Sequence, residues 1–158
     1  MKLLSLLLIA FVSLTAVELQ AQGGSNLQSS TDASGFEDVP DDIKKQISVF
    51  FNGMIAGEVE PSFEKLLSNS PVKRKTKSLS SLIEKTELSI ELYGNMMAYE
   101  PVSTEFVTSS YLRVRYISLH SRMPMRWVFT FYNSPDQGWV ITNIKYDDQT
   151  EMLFYDGE

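Results

Sequence analysis

The stretch Tyr111–Asp147, YLRVRYISLHSRMPMRWVFTFYNSPDQGWVITNIKYD, carries the clearest periodicity in the chain. Large apolar and polar side chains alternate along it, as they do in strands that bury one face. Short polar connections separate the alternating runs, which is typical of consecutive antiparallel strands. Together with the run before it, this stretch predicts four strands: Val102–Val107, Tyr111–His120, Met125–Tyr132 and Trp139–Asp147.

The alternation also assigns the two faces of the predicted sheet, because a shift of one residue would turn every side chain over. The face predicted to meet the core holds Val102, Thr104, Phe106, Leu112, Val114, Tyr116, Met125, Trp127, Phe129, Phe131, Val140, Ile144 and Tyr146. The opposite face is predicted to be mixed and holds Glu105, Arg113, Arg115, Ile117, Val128, Thr130, Tyr132, Trp139, Ile141 and Lys145.

The predicted connections also give cross-strand partners on the mixed face. They place Glu105 opposite Arg113, Arg113 opposite Tyr132, and Tyr132 opposite Trp139. Ion-pair and aromatic contacts would favour this row by tenths of a kcal/mol to about 1 kcal/mol for each pair. The same register places Arg126 opposite Lys145, a repulsive pair unless a carboxylate such as Asp147 lies near.

Three helices are predicted before the strands. The first opens at Pro40 with two aspartates in its first turn and closes at Gly57. The second starts at Pro61, and the third is capped by Ser78 and ends before Gly94. Residues 69–77 are predicted to form a polar connection between the last two helices.

The first 21 residues are predicted to be a secretory signal peptide that is cleaved after Ala21. Lys2 precedes an almost wholly apolar run from Leu3 to Val17, which is shorter than the roughly 20 residues that span a bilayer. A retained N-terminal anchor is the alternative. Residues 22–35 are poor in large apolar side chains and are predicted to be a flexible leader, which leaves residues 36–158 as one folded domain.

Composition excludes several kinds of site. The 158-residue chain has no cysteine and a single histidine, His120, so disulfides, thiol catalysis and sites built from His pairs are excluded. Its net charge of −6 disfavours nucleic acid as a partner. No phosphate loop, serine elbow or metal-binding helix motif occurs, so the sequence predicts no catalytic residues, no metal site and no cofactor.

The order of three helices and four strands, with the runs Tyr111–Ile117, Arg126–Tyr132 and Gly138–Asp148, resembles the NTF2-like superfamily. The likeness covers roughly residues 41–154 and is greatest to small secreted bacterial members with no assigned activity. It implies an α+β cone in which three N-terminal helices pack on a curved antiparallel four-strand meander. It also implies a pocket inside the cone and a homodimer formed by the outer face of the sheet, but not one activity, because this scaffold hosts many.

Two groups of candidate site residues follow from these faces. Inside the cone, Tyr116, Trp127, Phe129 and Tyr146 either line a pocket for a small apolar molecule or form a filled core. Isomerase chemistry of the kind known on this scaffold needs a carboxylate base inside the cone, and the predicted register supplies none. On the outer face, the residues predicted to form a dimer contact are Arg113, Arg115, Tyr132 and Trp139.

Three further features are explained without a functional role. The run Lys73-Arg74-Lys75-Thr76-Lys77 favours a solvated loop, with contact to anionic lipid or polysaccharide as the alternative. His120 is expected to be exposed or hydrogen bonded, because no catalytic partner is evident beside it. Asp147, Asp148 and Glu151 lack the spaced oxygen ligands and the glycine of a calcium loop.

The sequence therefore favours a secreted or periplasmic module that binds or associates without catalysis. Its expected partners are a small apolar molecule or a second copy of the chain. Nucleic acid is not expected, nor is stable membrane insertion after signal cleavage. The alternative is a pocket enzyme of the isomerase or hydrolase type on the same scaffold, which would need a carboxylate or His120 at an interior cavity.

Overall fold

A computed structural model describes residues 35–154 of the chain, so the predicted signal peptide, nearly all of the predicted leader and the last four residues lie outside the described residues. Three helices precede a four-stranded sheet, which confirms the predicted α+β arrangement. The helices are α1 (Asp41–Ile55), α2 (Val59–Leu66) and α3 (Thr76–Tyr93), and the strands are β1 (Met96–Thr108), β2 (Tyr111–His120), β3 (Met125–Ser134) and β4 (Gly138–Asp147).

The predicted helix starts were wrong by two residues at α2 and by three residues at α3. The helix α2 begins at Val59, which is buried, and Pro61 lies within its first turn, where a missing backbone N–H costs little. The helix α3 begins at Thr76, so Ser78 is not its cap. Before it, Pro71–Arg74 forms a short 3-10 turn whose Val72 backbone N–H donates to the Ser70 hydroxyl over 3.0 Å.

The curved antiparallel sheet has the strand order β1-β2-β3-β4, so β1 and β4 are its edges. The predicted start of β1 at Val102 was wrong, because the strand begins six residues earlier, at Met96. Its pairing with β2 changes register three times, once around Val102, and it contains Pro101. Because of these irregularities, the first part of β1 does not alternate strictly between apolar and polar residues, so alternation alone did not predict it. Irregularities of this kind also disfavour pairing between the edges of two sheets.

The predicted pairing of the central strands was also partly wrong. Glu105 lies opposite Arg113, as predicted, but β2 and β3 pair two residues away from the expected register, so Arg113 lies opposite Thr130. The predicted Arg126–Lys145 pair is replaced by Arg126 opposite Asp147. Two hydrogen bonds of 3.1 and 2.8 Å join the guanidinium to that carboxylate, so the register that forms brings opposite charges together.

A β-bulge at Thr142 overturns the predicted faces at the start of β4. Phe131 pairs with Ile141, whereas Thr130 pairs with Asn143, so one extra residue lies in β4. Ile141 is therefore buried in the core, and Trp139 packs partly against it, although both were predicted on the mixed face. Val140 was predicted in the core; it is buried, but it lies opposite Tyr132 on the outer side of the sheet.

The core lies between α1, α2 and the concave face of the sheet. Both helices present apolar side chains at helical spacing, and the rings of Phe50, Phe51 and Phe63 meet those of the sheet. Phe106, predicted to be inward, is 42% exposed at the end of its strand. The third helix covers less of the sheet, because Thr86 is its only buried residue.

Candidate functional site

The four residues predicted to line an interior pocket are packed in one aromatic cluster. Trp127 stacks on Phe129, with ring centroids 6.0 Å apart, and on Tyr146, with centroids 4.7 Å apart. Tyr116 lies edge-on to Phe129 at 6.1 Å. Rings of α1 close the cluster from the helix side, with Phe50 lying 5.4 Å from Trp127. The concave face of the sheet is therefore occupied by rings, and cavities of about 500 and 540 Å³ lie at the surface.

Ionisable groups are scarce among the buried described residues. Arg115 is the one charged residue among them, and no aspartate or glutamate is buried. Burial raises the pKa of Tyr116 well above its usual range, with a further contribution from Tyr99, so its hydroxyl stays protonated. A protonated tyrosine can donate to an oxyanion, but general-base chemistry also needs a carboxylate or imidazole beside the reacting carbon. The described interior offers no such carboxylate.

A hydrogen-bonded chain runs from the aromatic cluster to His120. The Trp127 indole N–H donates to the Ser118 hydroxyl oxygen over 2.9 Å, and that hydroxyl lies 3.0 Å from His120 Nε2. His120 Nδ1 lies 2.8 Å from the backbone oxygen of Gly94. Because a carbonyl only accepts, Nδ1 carries the proton; when the ring is neutral, Nε2 is then the acceptor in its contact with the Ser118 hydroxyl.

The surroundings of this serine–histidine pair differ from those of a catalytic pair. Ser118 is fully buried, and its oxygen already accepts a hydrogen bond from Trp127. A nucleophile needs access to substrate, and its histidine is normally oriented by a group that stabilises the imidazolium. Here a neutral carbonyl holds that position. The sequence analysis missed Ser118, although residues two apart on a strand share a face and would have indicated the pair.

The outer face of the sheet carries a small ionic network, which we call the Glu105 network. Glu105 Oε2 lies 3.3 Å from Arg113 Nη1 and 3.2 Å from Arg115 Nη2, and Arg115 also donates to the Ser103 hydroxyl over 3.3 Å. The side chain of Arg115 is only 8% exposed. Two of the four predicted dimer-face residues, Arg113 and Arg115, therefore share one carboxylate.

The other two predicted dimer-face residues lie apart from this network. Tyr132 is on the outer face, 40% exposed, and lies opposite Tyr111, which is exposed to the same extent. Trp139 lies opposite Asn133 and packs partly against the core. The outer face therefore keeps three of the four candidates, and Tyr111 joins them as a residue that the sequence analysis missed.

The acidic residues after β4 are engaged with their neighbours. Asp147 is paired with Arg126, and Asp148 accepts a hydrogen bond of 2.6 Å from the Tyr93 hydroxyl. This hydrogen bond and the negative charge of Asp148 raise the pKa of Tyr93. Within residues 35–154, no three His, Asp or Glu side chains gather in a way that would hold a metal ion.

Comparison with known proteins returns no relatives. No protein-family model, no curated protein and no solved structure matches the chain. No helix among the described residues has both the length and the apolar character needed to cross a membrane.

Proposed function

We propose that this protein is a secreted or periplasmic, non-catalytic association module on an NTF2-like scaffold, and that it forms a homodimer through the outer face of its sheet. The observation that carries the proposal is the Glu105 network, in which a nearly buried arginine lies on the face turned away from the core. The exposed rings of Tyr111 and Tyr132 lie on the same face.

Such a face suits contact with its own copy. In a two-fold interface each patch meets itself, so a patch with both signs of charge can pair its cations with the partner's anions. Arg113, Glu105 and Lys145 supply both signs on this face, and all three have exposed or half-exposed side chains. Tyrosine and arginine are also among the residue types enriched at the positions that contribute most to binding at protein interfaces.

Enclosure of a small apolar molecule has less support than association. A ligand in the cone would need the space that Trp127, Phe129 and Phe50 occupy. Binding would therefore require these rings to move apart, which would break contacts that a densely packed interior depends on.

Export is the part of the proposal that rests on the sequence alone. The charged start and the apolar run before Ala21 support cleavage at that residue. Intact-mass measurement of protein recovered from the medium or periplasm of an expressing bacterium is expected to give a chain that begins at Gln22. Recovery of the full-length chain in the membrane fraction would contradict cleavage and favour the retained anchor.

The dimer is tested by reversing one charge on the proposed interface. Arg113→Glu places two carboxylates side by side in each subunit and removes a cation that the partner's acidic groups would meet. We expect the wild-type protein to sediment at twice its chain mass and the variant to sediment as a monomer. Analytical ultracentrifugation over a series of concentrations measures both.

The matched control is Lys85→Glu, which makes the same change in net charge on an exposed position of α3. It should leave the dimer intact. Far-UV circular dichroism confirms that both variants are folded. A wild-type protein that is monomeric at the highest concentration reached, or equal dissociation of the two variants, would contradict the proposed interface.

A further inference from the structure

A cleft of about 500 Å³ lies at the surface between the 3-10 turn before α3 and the β3–β4 hairpin. We call it the basic cleft. One wall is the segment from Ser68 to Arg74, and the other comes from the outer side of β3 and β4. The residues that line it are Ser68, Asn69, Ser70, Pro71, Lys73, Arg74, Tyr132, Ser134, Gln137, Val140 and Thr142.

The charge of the basic cleft is opposite to that of the whole chain. The protein carries 20 acidic and 14 basic residues, yet the lining contains Lys73 and Arg74 and no carboxylate. Four of the five arginines donate to described partners: Arg113 and Arg115 to Glu105, Arg126 to Asp147, and Arg122 to the last carbonyls of α3. For Arg74 and Lys73, no described carboxylate lies within salt-bridge distance.

The wall that carries these cations is anchored. Ser70 is buried and donates its hydroxyl to the backbone oxygen of Ile141 in β4, while it accepts from the Val72 backbone N–H. Further backbone bonds close the turn, from Lys73 N to Ser70 O at 3.2 Å and from Lys75 N to Val72 O at 2.9 Å. The positions from which Lys73 and Arg74 project are therefore fixed relative to β4, unlike those of a solvated loop.

We propose that the basic cleft binds an anionic saccharide, a sugar chain that carries carboxylate or sulfate groups. Arg74 offers a planar fork of donors that matches such groups, and Lys73 adds a second positive charge beside it. Asn69, Gln137 and Ser134 supply the amide and hydroxyl groups that a sugar's own hydroxyls pair with. The exposed face of Tyr132 is a surface on which the C–H groups of a sugar ring pack.

The shape of the site favours a saccharide over a lipid surface. A bilayer presents its headgroups in a plane, and cations that bind it do so from a protruding loop or helix face. Lys73 and Arg74 instead line a concave site whose other wall carries the polar side chains of Ser134, Gln137 and Thr142 beside Tyr132 and Val140. Its volume falls within the range of about 300–1,000 Å³ that small-molecule sites occupy.

The test is a titration followed by NMR of the uniformly 15N-labelled protein. The probes are trigalacturonate and a heparin tetrasaccharide as anionic sugars, maltotriose as the neutral sugar, inorganic phosphate as a free anion, and vesicles of phosphatidylglycerol in phosphatidylcholine. We expect saturable shifts of the amides lining the cleft with at least one anionic sugar and none with maltotriose. Arg74→Ala should weaken that binding about tenfold, as expected for the loss of one charge-assisted hydrogen bond.

The matched control is Lys77→Ala, which removes the same charge from the same basic run at a position outside the cleft lining. It should change the dissociation constant less than twofold. Equal losses for Arg74→Ala and Lys77→Ala would overturn the proposal, because they would indicate diffuse attraction. It would also be overturned by binding of phosphate as strong as that of the sugars, by binding to vesicles alone, or by no binding.

The titration and the dimer test can fail separately, although Tyr132 lines the basic cleft and also lies on the proposed dimer face. The two substituted residues lie on the turn before α3 and in α3 itself, away from the Glu105 network. Sedimentation of Arg74→Ala therefore shows whether association persists when saccharide binding is lost.

Discussion

Replacing Trp127 by alanine is expected to lower the free energy of unfolding by about 3–5 kcal/mol, the usual cost of removing a large aromatic side chain from a core. The indole is 1% exposed and contacts rings from α1, α2, β3 and β4, including Phe50, Phe63 and Tyr146. It also donates a hydrogen bond to Ser118. A loss of this size is a large part of the total stability of an ordinary domain, which is about 5–15 kcal/mol.

Urea unfolding followed by circular dichroism measures the change. The control is Phe154→Ala, because that ring is 87% exposed and its loss should cost under about 0.5 kcal/mol. The result bears on function as well as on folding. A loss below about 1 kcal/mol for Trp127→Ala would mean that the cluster is loosely packed, and a ligand inside the cone would then become the better hypothesis.

The elements with strict periodicity were the ones predicted well from sequence. Both β2 and β3 begin at the predicted residues, Tyr111 and Met125, and α1 lies where Pro40 and Gly57 bound it. These segments alternate, or repeat at helical spacing, without interruption. Burial therefore fixes which face of each element is inside, because the opposite face would expose several large side chains. It does not fix the pairing of β2 with β3, which differs from the predicted register by two residues and keeps the same faces.

The edge strands were predicted less well, and the reason is local. The extra residue at Thr142 exchanges the two faces of the sheet for the side chains that precede it in β4. Composition alone does not distinguish a bulge from a regular strand. The pairing that forms joins Arg126 to Asp147 instead of placing it opposite Lys145. A cross-strand charge conflict was therefore the one sequence signal that the register differed from a simple meander.

The candidate sites differ in how far sequence could predict them. The basic run was visible in the sequence, but a solvated loop and an anion-binding site differ in whether the backbone is anchored. The anchor is the hydrogen bond from Ser70 to Ile141, which spans 71 residues. The Glu105 network was predicted through the pair with Arg113, and the burial of Arg115 was not. Long-range contacts decide both cases, and periodicity carries no information about them.

Replacing Ser118 by alanine is expected to lower the free energy of unfolding by about 2–3 kcal/mol. The hydroxyl is the common partner of the Trp127 indole N–H and of His120 Nε2. Its removal leaves the buried indole N–H without an acceptor, and an unsatisfied buried group costs about 1–3 kcal/mol. His120 is half-buried, so a water molecule can partly replace the hydrogen bond that its Nε2 loses. The small cavity left by the missing oxygen adds to the cost.

The control is Ser89→Ala on α3, whose hydroxyl donates to the Lys85 backbone oxygen at an exposed position. Its loss should cost under about 0.5 kcal/mol. A double-mutant cycle with Trp127→Phe separates the two bonds, because that variant removes the indole N–H and keeps an aromatic ring. If the hydrogen bond from the indole accounts for the lost stability, Ser118→Ala should lower the free energy of unfolding by about 1 kcal/mol less in the Trp127→Phe background than in the wild-type protein.

The same variant distinguishes structure from catalysis at this pair. A serine nucleophile activated by histidine reacts with a fluorophosphonate probe, and the reaction needs the hydroxyl to be accessible. Ser118 is fully buried and its oxygen faces the indole, so we expect no labelling of the folded wild-type protein. Labelling that is lost in Ser118→Ala, with the fold intact, would contradict the proposal of a non-catalytic module. Such a result would require the aromatic cluster to open, because Trp127 covers the oxygen that would have to attack.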